Sequence, residues 1–169
     1  MVNSKFYIKS KDLELMTKVE IGEVIPQEKP GIYVGWDQYG ISRDSLWTDG
    51  IGSCLAIVLY EPKTKLRALA HISGTTIPKV PESVHPENVA DTLISQFGDY
   101  KTIEAVLAGE DISAGNQKKM SDLVRRNLSH LKIPIIGEDL GNFASYRGRE
   151  LHLNCRTGKV TIYRLPSLF

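Results

Sequence analysis

Cysteine is scarce. Cys54 and Cys155 are the only two in 169 residues, too few for a disulfide-stapled scaffold. Both therefore read as thiols, each either a small buried hydrophobe or a reactive group according to its neighbours. Long apolar runs are missing too: no stretch of about 18 apolar residues occurs, which excludes a spanning helix and membrane insertion. The opening stretch MVNSKFYIKSKDLELM carries charges where a secretory signal needs an apolar segment, so a cytoplasmic location is expected. An excess of one charge is also absent. The formal net charge of +1 gives no electrostatic case for nucleic acid or an anionic membrane as partner. What is present is the composition of a globular domain, 41% apolar and 24% charged, in a length that suits one domain with a real core.

Residues 1–18 are polar with only a short apolar pattern and read as an N-terminal extension to a domain over 19–169. From Pro26 to Asp49 the chain is rich in Gly, Pro, Asp and aromatics, which predicts loops around a short strand at Ile32–Val34. Ser53–Tyr60 (SCLAIVLY) is apolar almost throughout and predicts a strand buried on both faces. Lys65–Ile72 (KLRALAHI) reads as its return strand, with the reversal at Pro62, which presets a turn dihedral and cannot donate to a ladder. Pro86–Phe97 places Val89, Leu93 and Phe97 on one helical stripe, with Gly98 as a stop. Asn116–Leu131 does the same with Met120, Leu123, Val124, Leu128 and Leu131. Ile103–Ala108, Ile133–Ile136, Glu150–Asn154 and Val160–Tyr163 are further strands, the last two joined by a hairpin at Thr157-Gly158. Many strands and two helices give an α+β fold, mixed or antiparallel sheets packed as a sandwich with flanking helices.

The first hairpin carries a chemical possibility. A turn centred between Pro62 and Lys63 sets Cys54 directly opposite His71, with Cβ atoms about 5 Å apart. A one-residue slip would put the two on opposite faces. An imidazolium beside a thiol lowers its pKa below the usual value of about 8.5 and can later protonate a departing amine. The imidazole needs a third group to fix its tautomer, and Thr48 stands just upstream. Gly50 and Gly52 allow a ligand close to the backbone. Amides of Gly52, Ser53 or Cys54 can then face a developing oxyanion, worth about 3 kcal/mol per donor in known cases. Against this, a cysteine opening an apolar strand is most often a core residue and a histidine ending one a structural hydrogen-bonder. The residues alone leave both readings open.

The remaining candidates read as structural. His85, His130 and His152 lack metal-ligand spacing, so no metal site is expected. Asp37, Asp44 and Asp49 lack calcium-loop spacing and read as a solvated loop. Lys118, Lys119, Arg125 and Arg126 read as an exposed helix face, and Cys155 as a structural residue beside a hairpin turn.

The segment TDGIGSCLAIVLYEPKTKLRALAHI resembles the signature of the CheD family, the chemoreceptor glutamine deamidases of chemotaxis. Thr48 lies six residues before Cys54 and His71 seventeen after it, as in that family. Ile21-Gly22-Glu23, Ala90-Asp91-Thr92, Glu138-Asp139, Gly148-Arg149 and Thr157-Gly158 also match, so the likeness runs over about residues 19 to 164. It implies a CheD-like fold, a Cys54 nucleophile, a His71 acid/base and Thr48 as orienter, with no metal or organic cofactor. The implied partners are the cytoplasmic helices of chemoreceptors and a CheC-type phosphatase.

The chain also departs from the family. Tyr33–Trp47 is extra sequence before the Thr, and Ser73-Gly74-Thr75-Thr76 replaces a Leu-Pro pair after the His. Gly109-Glu110-Asp111 replaces a Gly-Gly-Ala segment, and Phe143–Arg147 is a longer insert after Gly141-Asn142. Two alternatives follow: a binding module docking receptors or the phosphatase without turnover, and a deamidase of a different protein substrate.

Overall fold

The computed structural model describes residues 19–22, 24–29, 31–73, 84–98, 102–110, 120–141 and 146–166. The N-terminal extension and the first residues of the second predicted helix lie outside these. One five-stranded sheet runs in the order β1 (Val19–Gly22), β10 (Val160–Pro166), β9 (Tyr146–Leu153), β4 (Leu46–Ile51) and β2 (Ile32–Tyr33). The second runs β3 (Gln38–Ser42), β6 (Leu66–Ile72), β5 (Leu55–Glu61), β7 (Glu104–Gly109) and β8 (Ile135–Leu140). Most pairings are antiparallel, while β1–β10, β2–β4 and β7–β8 are parallel. The mixed-sheet sandwich expected from the sequence is what forms.

Every residue of β5 is buried, for two different reasons. Leu55, Ile57 and Leu59 pack outward against α1 (Val89–Ile94) and α2 (Met120–His130). Ala56 and Val58 face the other sheet and meet Leu46, Leu151, Leu153 and Ile162 there. Alternation of side chains along one strand thus feeds two cores, and each fully buried aliphatic side chain contributes about 1.5–3 kcal/mol. Met120, Val124 and Leu128 line the buried stripe of α2 as predicted. The first helix is shorter than predicted: residues 86–88 form a turn, with His85 N–H on the Asn88 side chain at 2.9 Å, and Phe97 packs just beyond the helix end.

Two expectations need correction. The stretch from Pro26 to Asp49 holds more than the one short strand expected, since β3 lies within it and β4 begins there. Strand β3 sits at a sheet edge, and in QYGIS the alternation is only two apolar residues long, Tyr39 and Ile41 about a glycine, too short to reveal it. The first hairpin is also registered differently: Ala56, not Cys54, faces His71, because Glu61 pairs with Leu66 across a four-residue loop. Glu61 remains in the strand, and its carboxylate accepts the N–H groups of Lys63 (3.1 Å) and Thr64 (2.5 Å). Lys65 then closes the loop in the left-handed region at φ 62°. Pro62 opens this turn and does not sit at its centre.

A buried ion cluster ties the two sheets together. Asp139 on β8 accepts Arg149 of β9 at 2.9 Å and Arg164 of β10 at 2.7 Å. Arg149 also donates to the Gly141 carbonyl at 2.6 Å.

Candidate active site

Thr48 and His71 meet across the sandwich. Thr48 lies on β4, opposite Leu151 of β9, so both point into the layer between the sheets. His71 lies on β6 of the other sheet, and its Nδ1 stands 2.8 Å from Thr48 Oγ1. Both residues are 0% exposed. The imidazole is therefore fixed by a group from the opposite sheet, and its rotation is locked. Its Nε2 is buried and has no hydrogen-bond partner among the described residues.

Cys54 stands one residue before β5 and two before Ala56, the residue facing His71. The register differs from the expected one by two residues, and Cys54 lies in the bend at 52–54 that leads into the strand. Direct opposition is replaced by a diagonal relation. Cys54 is 8% exposed, while Cys155 is exposed, with its backbone bound to Ser45 and Arg67.

The charge state of the pair also differs from expectation. Burial pushes the His71 pKa down from 6.5 to about 4, a shift that Asp37 and Asp49 only partly oppose. The resting side chain is a neutral imidazole, not the imidazolium expected from the spacing. A hydroxyl at Nδ1 explains part of this, because Thr48 brings no negative charge to stabilise the protonated ring. A carboxylate there would raise the pKa.

The backbone around Cys54 is tightly held. Gly50 takes a left-handed φ of 66°, and its carbonyl accepts the Gly52 N–H at 3.0 Å. That bond occupies the Gly52 amide, so it is not an oxyanion donor in this conformation. The Cys54 carbonyl accepts the Glu110 N–H at 2.7 Å. Next to it, Gly109 has φ 120°, and a Cβ there would stand 2.1 Å from the Cys54 oxygen and 2.7 Å from Ile51 Cγ2. Only glycine lets β7 pass this close. The Gly109 carbonyl accepts the Gly141 N–H at 2.9 Å, and the buried Glu110 carboxylate accepts the N–H and hydroxyl of Ser121 in the first turn of α2. The altered Gly109-Glu110 pair thus packs against the Cys54 backbone and links it to α2.

Sequence reasoning missed two residues beside His71. Asp37, read as part of a solvated loop, donates its N–H to the His71 carbonyl at 2.7 Å. Its carboxylate accepts the N–H and hydroxyl of Ser73 at 2.8 and 2.7 Å. Asp49 is likewise engaged, accepting the Tyr33 hydroxyl at 2.9 Å. The indole of Trp36 lies edge-on to the His71 ring, centroids 6.4 Å apart. The signal available was the extra Tyr33–Trp47 sequence itself, since an insert just before the Thr has to lie near it.

Other candidates fall away from this place. Arg125 on α2 is paired with Glu138 at 2.7 Å and Asp122 at 3.1 Å, and Arg126 is exposed, so this charged face lies at the surface as expected. Lys118 and Lys119 lie outside the described residues. His152 is buried against Glu150 and stacks edge-on with Tyr163. Among the described residues no group of three His, Cys, Asp or Glu side chains is arranged to hold a metal, and no helix is long and apolar enough to cross a membrane.

Comparison with known proteins gives a consistent set of relatives. No protein-family model matches the chain. A Desulforamulus reducens protein named probable chemoreceptor glutamine deamidase CheD is 31% identical over 155 residues, 80% of this chain and 92% of that protein. One of the same name from Clostridium botulinum is 30% identical over 140 residues, 72% of this chain and 83% of that protein. The chemoreceptor glutamine deamidase CheD of Thermotoga maritima is 26% identical over 161 residues, 87% of this chain and 90% of that protein.

Proposed function

Since this chain belongs to the CheD family, we propose that it is a cysteine-dependent protein-glutamine deamidase acting on chemoreceptors in the cytoplasm. The observation that carries this reading is the Thr48–His71 bond at 2.8 Å, which leaves Nε2 unpartnered among the described residues beside the segment bearing Cys54. The relatives' printed names supply the reaction and the receptor; the site supplies groups able to perform it.

The cycle runs on these groups alone. For Nε2 to accept a proton, Nδ1 must carry the ring hydrogen and donate it to Thr48 Oγ1, so the hydroxyl selects the useful tautomer. The Cys54 sulfur attacks the carbonyl carbon of a glutamine side chain as its proton passes to His71 Nε2. The oxyanion that forms is stabilised by the amides of Ser53 or Cys54 at the open, Gly50-bounded edge of the site. His71 returns the proton to nitrogen, ammonia leaves, and a thioester remains. Water then attacks as His71 takes its proton, and collapse releases glutamate and the thiol. The balance requires no metal or organic cofactor. Burial keeps His71 neutral at rest, so Nε2 has a lone pair for the thiol proton throughout the neutral range. A CheC-type phosphatase is the accessory partner that the family resemblance suggests.

The test of this reading is mass spectrometry of chemoreceptor cytoplasmic fragments incubated with the protein. A gain of about one mass unit at particular glutamines is expected from replacing an amide by an acid. Unchanged spectra for every receptor tested would remove the proposal.

Thr48→Val probes the orienting role separately. The two side chains have nearly the same shape, so the sandwich should persist, with a loss of about 1–3 kcal/mol for leaving buried Nδ1 without its partner. Deamidation should fall about 10- to 100-fold in kcat with KM little changed. An unaltered kcat would show that the tautomer is set by something else.

A further inference from the structure

We propose that Trp36 is a specificity-determining residue that docks the apolar flank of the helical segment presenting the glutamine. The inference rests on the deamidase reading and names a contact that this reading does not itself require.

Four observations converge on this residue. Trp36 is 66% exposed, an unusual condition for an indole. Its ring edges His71 at 6.4 Å, and a Cβ at Gly50 would stand 3.5 Å from its Nε1, so the indole overlies the glycine rim of the site. Its backbone is held on both sides. Gln38 N–H returns to the Gly35 carbonyl at 3.2 Å, and Asp37 is clamped to His71 and Ser73 by the three bonds already described. Finally, Ile32, Tyr33 and Tyr39, all within four residues of it in the sequence, are also large and exposed. An indole fastened by its backbone yet bare on its face does little for the fold and is already ordered for a partner.

The partner's chemistry follows from the reach of the substrate. Cys54 lies below the surface, so a glutamine side chain must enter fully extended while its backbone stays outside, across the rim. On a helix, residues three and four positions from that glutamine project alongside it. An aliphatic side chain at such a position would meet the indole face and remove both from water. A polar one would gain nothing there. The substrate class selected is therefore an amphipathic helix whose reactive glutamine borders its apolar stripe.

The experiment compares wild type, Trp36→Ala and Trp36→Phe on a chemoreceptor cytoplasmic fragment, with binding measured in parallel on a Cys54→Ala background by calorimetry. Trp36→Ala should raise KM and Kd about tenfold, with kcat held within about twofold, and Trp36→Phe should recover most of the loss. Unchanged KM and Kd in Trp36→Ala would overturn the inference while leaving the deamidase reading intact. So would a fall confined to kcat with a displaced pH profile, since Trp36 would then be acting through His71. Trp36-dependent binding without any turnover by wild type would support the contact and sink the deamidase reading. Neither binding nor turnover by wild type would overturn both.

Discussion

Cys54→Ala is expected to abolish deamidation outright, with no ammonia released and no mass change in any receptor fragment that wild type modifies. The reason is the absence of a substitute nucleophile: Cys155 is exposed in the turn between β9 and β10, where its backbone is held by Ser45 and Arg67. Folding should be little affected, because Cys54 is held by its carbonyl on Glu110 and not by the bulk of its side chain. Losing a small sulfur from a nearly buried place costs about 1 kcal/mol. Accessibility alone would have iodoacetamide label Cys155 first. Preferential alkylation of Cys54 in wild type would thus report assistance from a base, since iodoacetamide is itself a primary carboxamide and resembles the end of a glutamine side chain. Residual deamidation by Cys54→Ala at more than about a thousandth of the wild-type rate would exclude the thioester route.

His71→Gln should lower kcat by about 10²- to 10⁴-fold, because the amide fills the space without accepting a proton at neutral pH. A second effect concerns stability and has a defined sign. The His71 pKa is about 4 when folded and 6.5 when unfolded, so between these values the unfolded chain binds more protons. Stability then rises with pH across that interval, is fully present above 6.5, and is lost as pH falls towards 4. At 1.36 kcal/mol per unit, this one group accounts for about 3 kcal/mol of acid sensitivity. Urea unfolding at several pH values should show wild type losing its advantage over His71→Gln by about that amount between pH 7 and 4. Parallel curves for the two proteins would mean that the imidazole is not buried neutral.

Much of this site was legible from spacing and little of it from local pattern. Cys54 and His71 could be paired because β5 and β6 are consecutive, strongly apolar and joined by a short loop. An error of two residues, unlike an error of one, keeps the residues of a strand on their expected face, because alternation has a period of two. Thr48 was harder. It occupies a strand reading LWTDGI, interrupted by a register shift between Thr48 and Ile51, and its partner across the sandwich is distant in sequence. No apolar periodicity in 46–51 announces that strand; its place just upstream of Cys54 and the family resemblance were what pointed to the residue. The neutral state of His71 was not legible at all, since it depends on how much of both sheets closes over the ring. Asp37 and Trp36 were hidden for a related reason: their roles come from a turn that folds back onto the end of β6.

The Thr48–His71 bond has a consequence for anyone wishing to move this chemistry elsewhere. The hairpin of β5 and β6 looks like a self-contained cassette, since it carries the base and abuts the sulfur. Yet the hydroxyl bound to the imidazole arrives from the facing sheet, and the Cys54 backbone rests on a glycine of a third strand. Grafting residues 54–71 onto a foreign barrel or a designed hairpin would deliver two reactive side chains with neither alignment nor a seat. The smallest transplantable unit is the stacked pair of sheets.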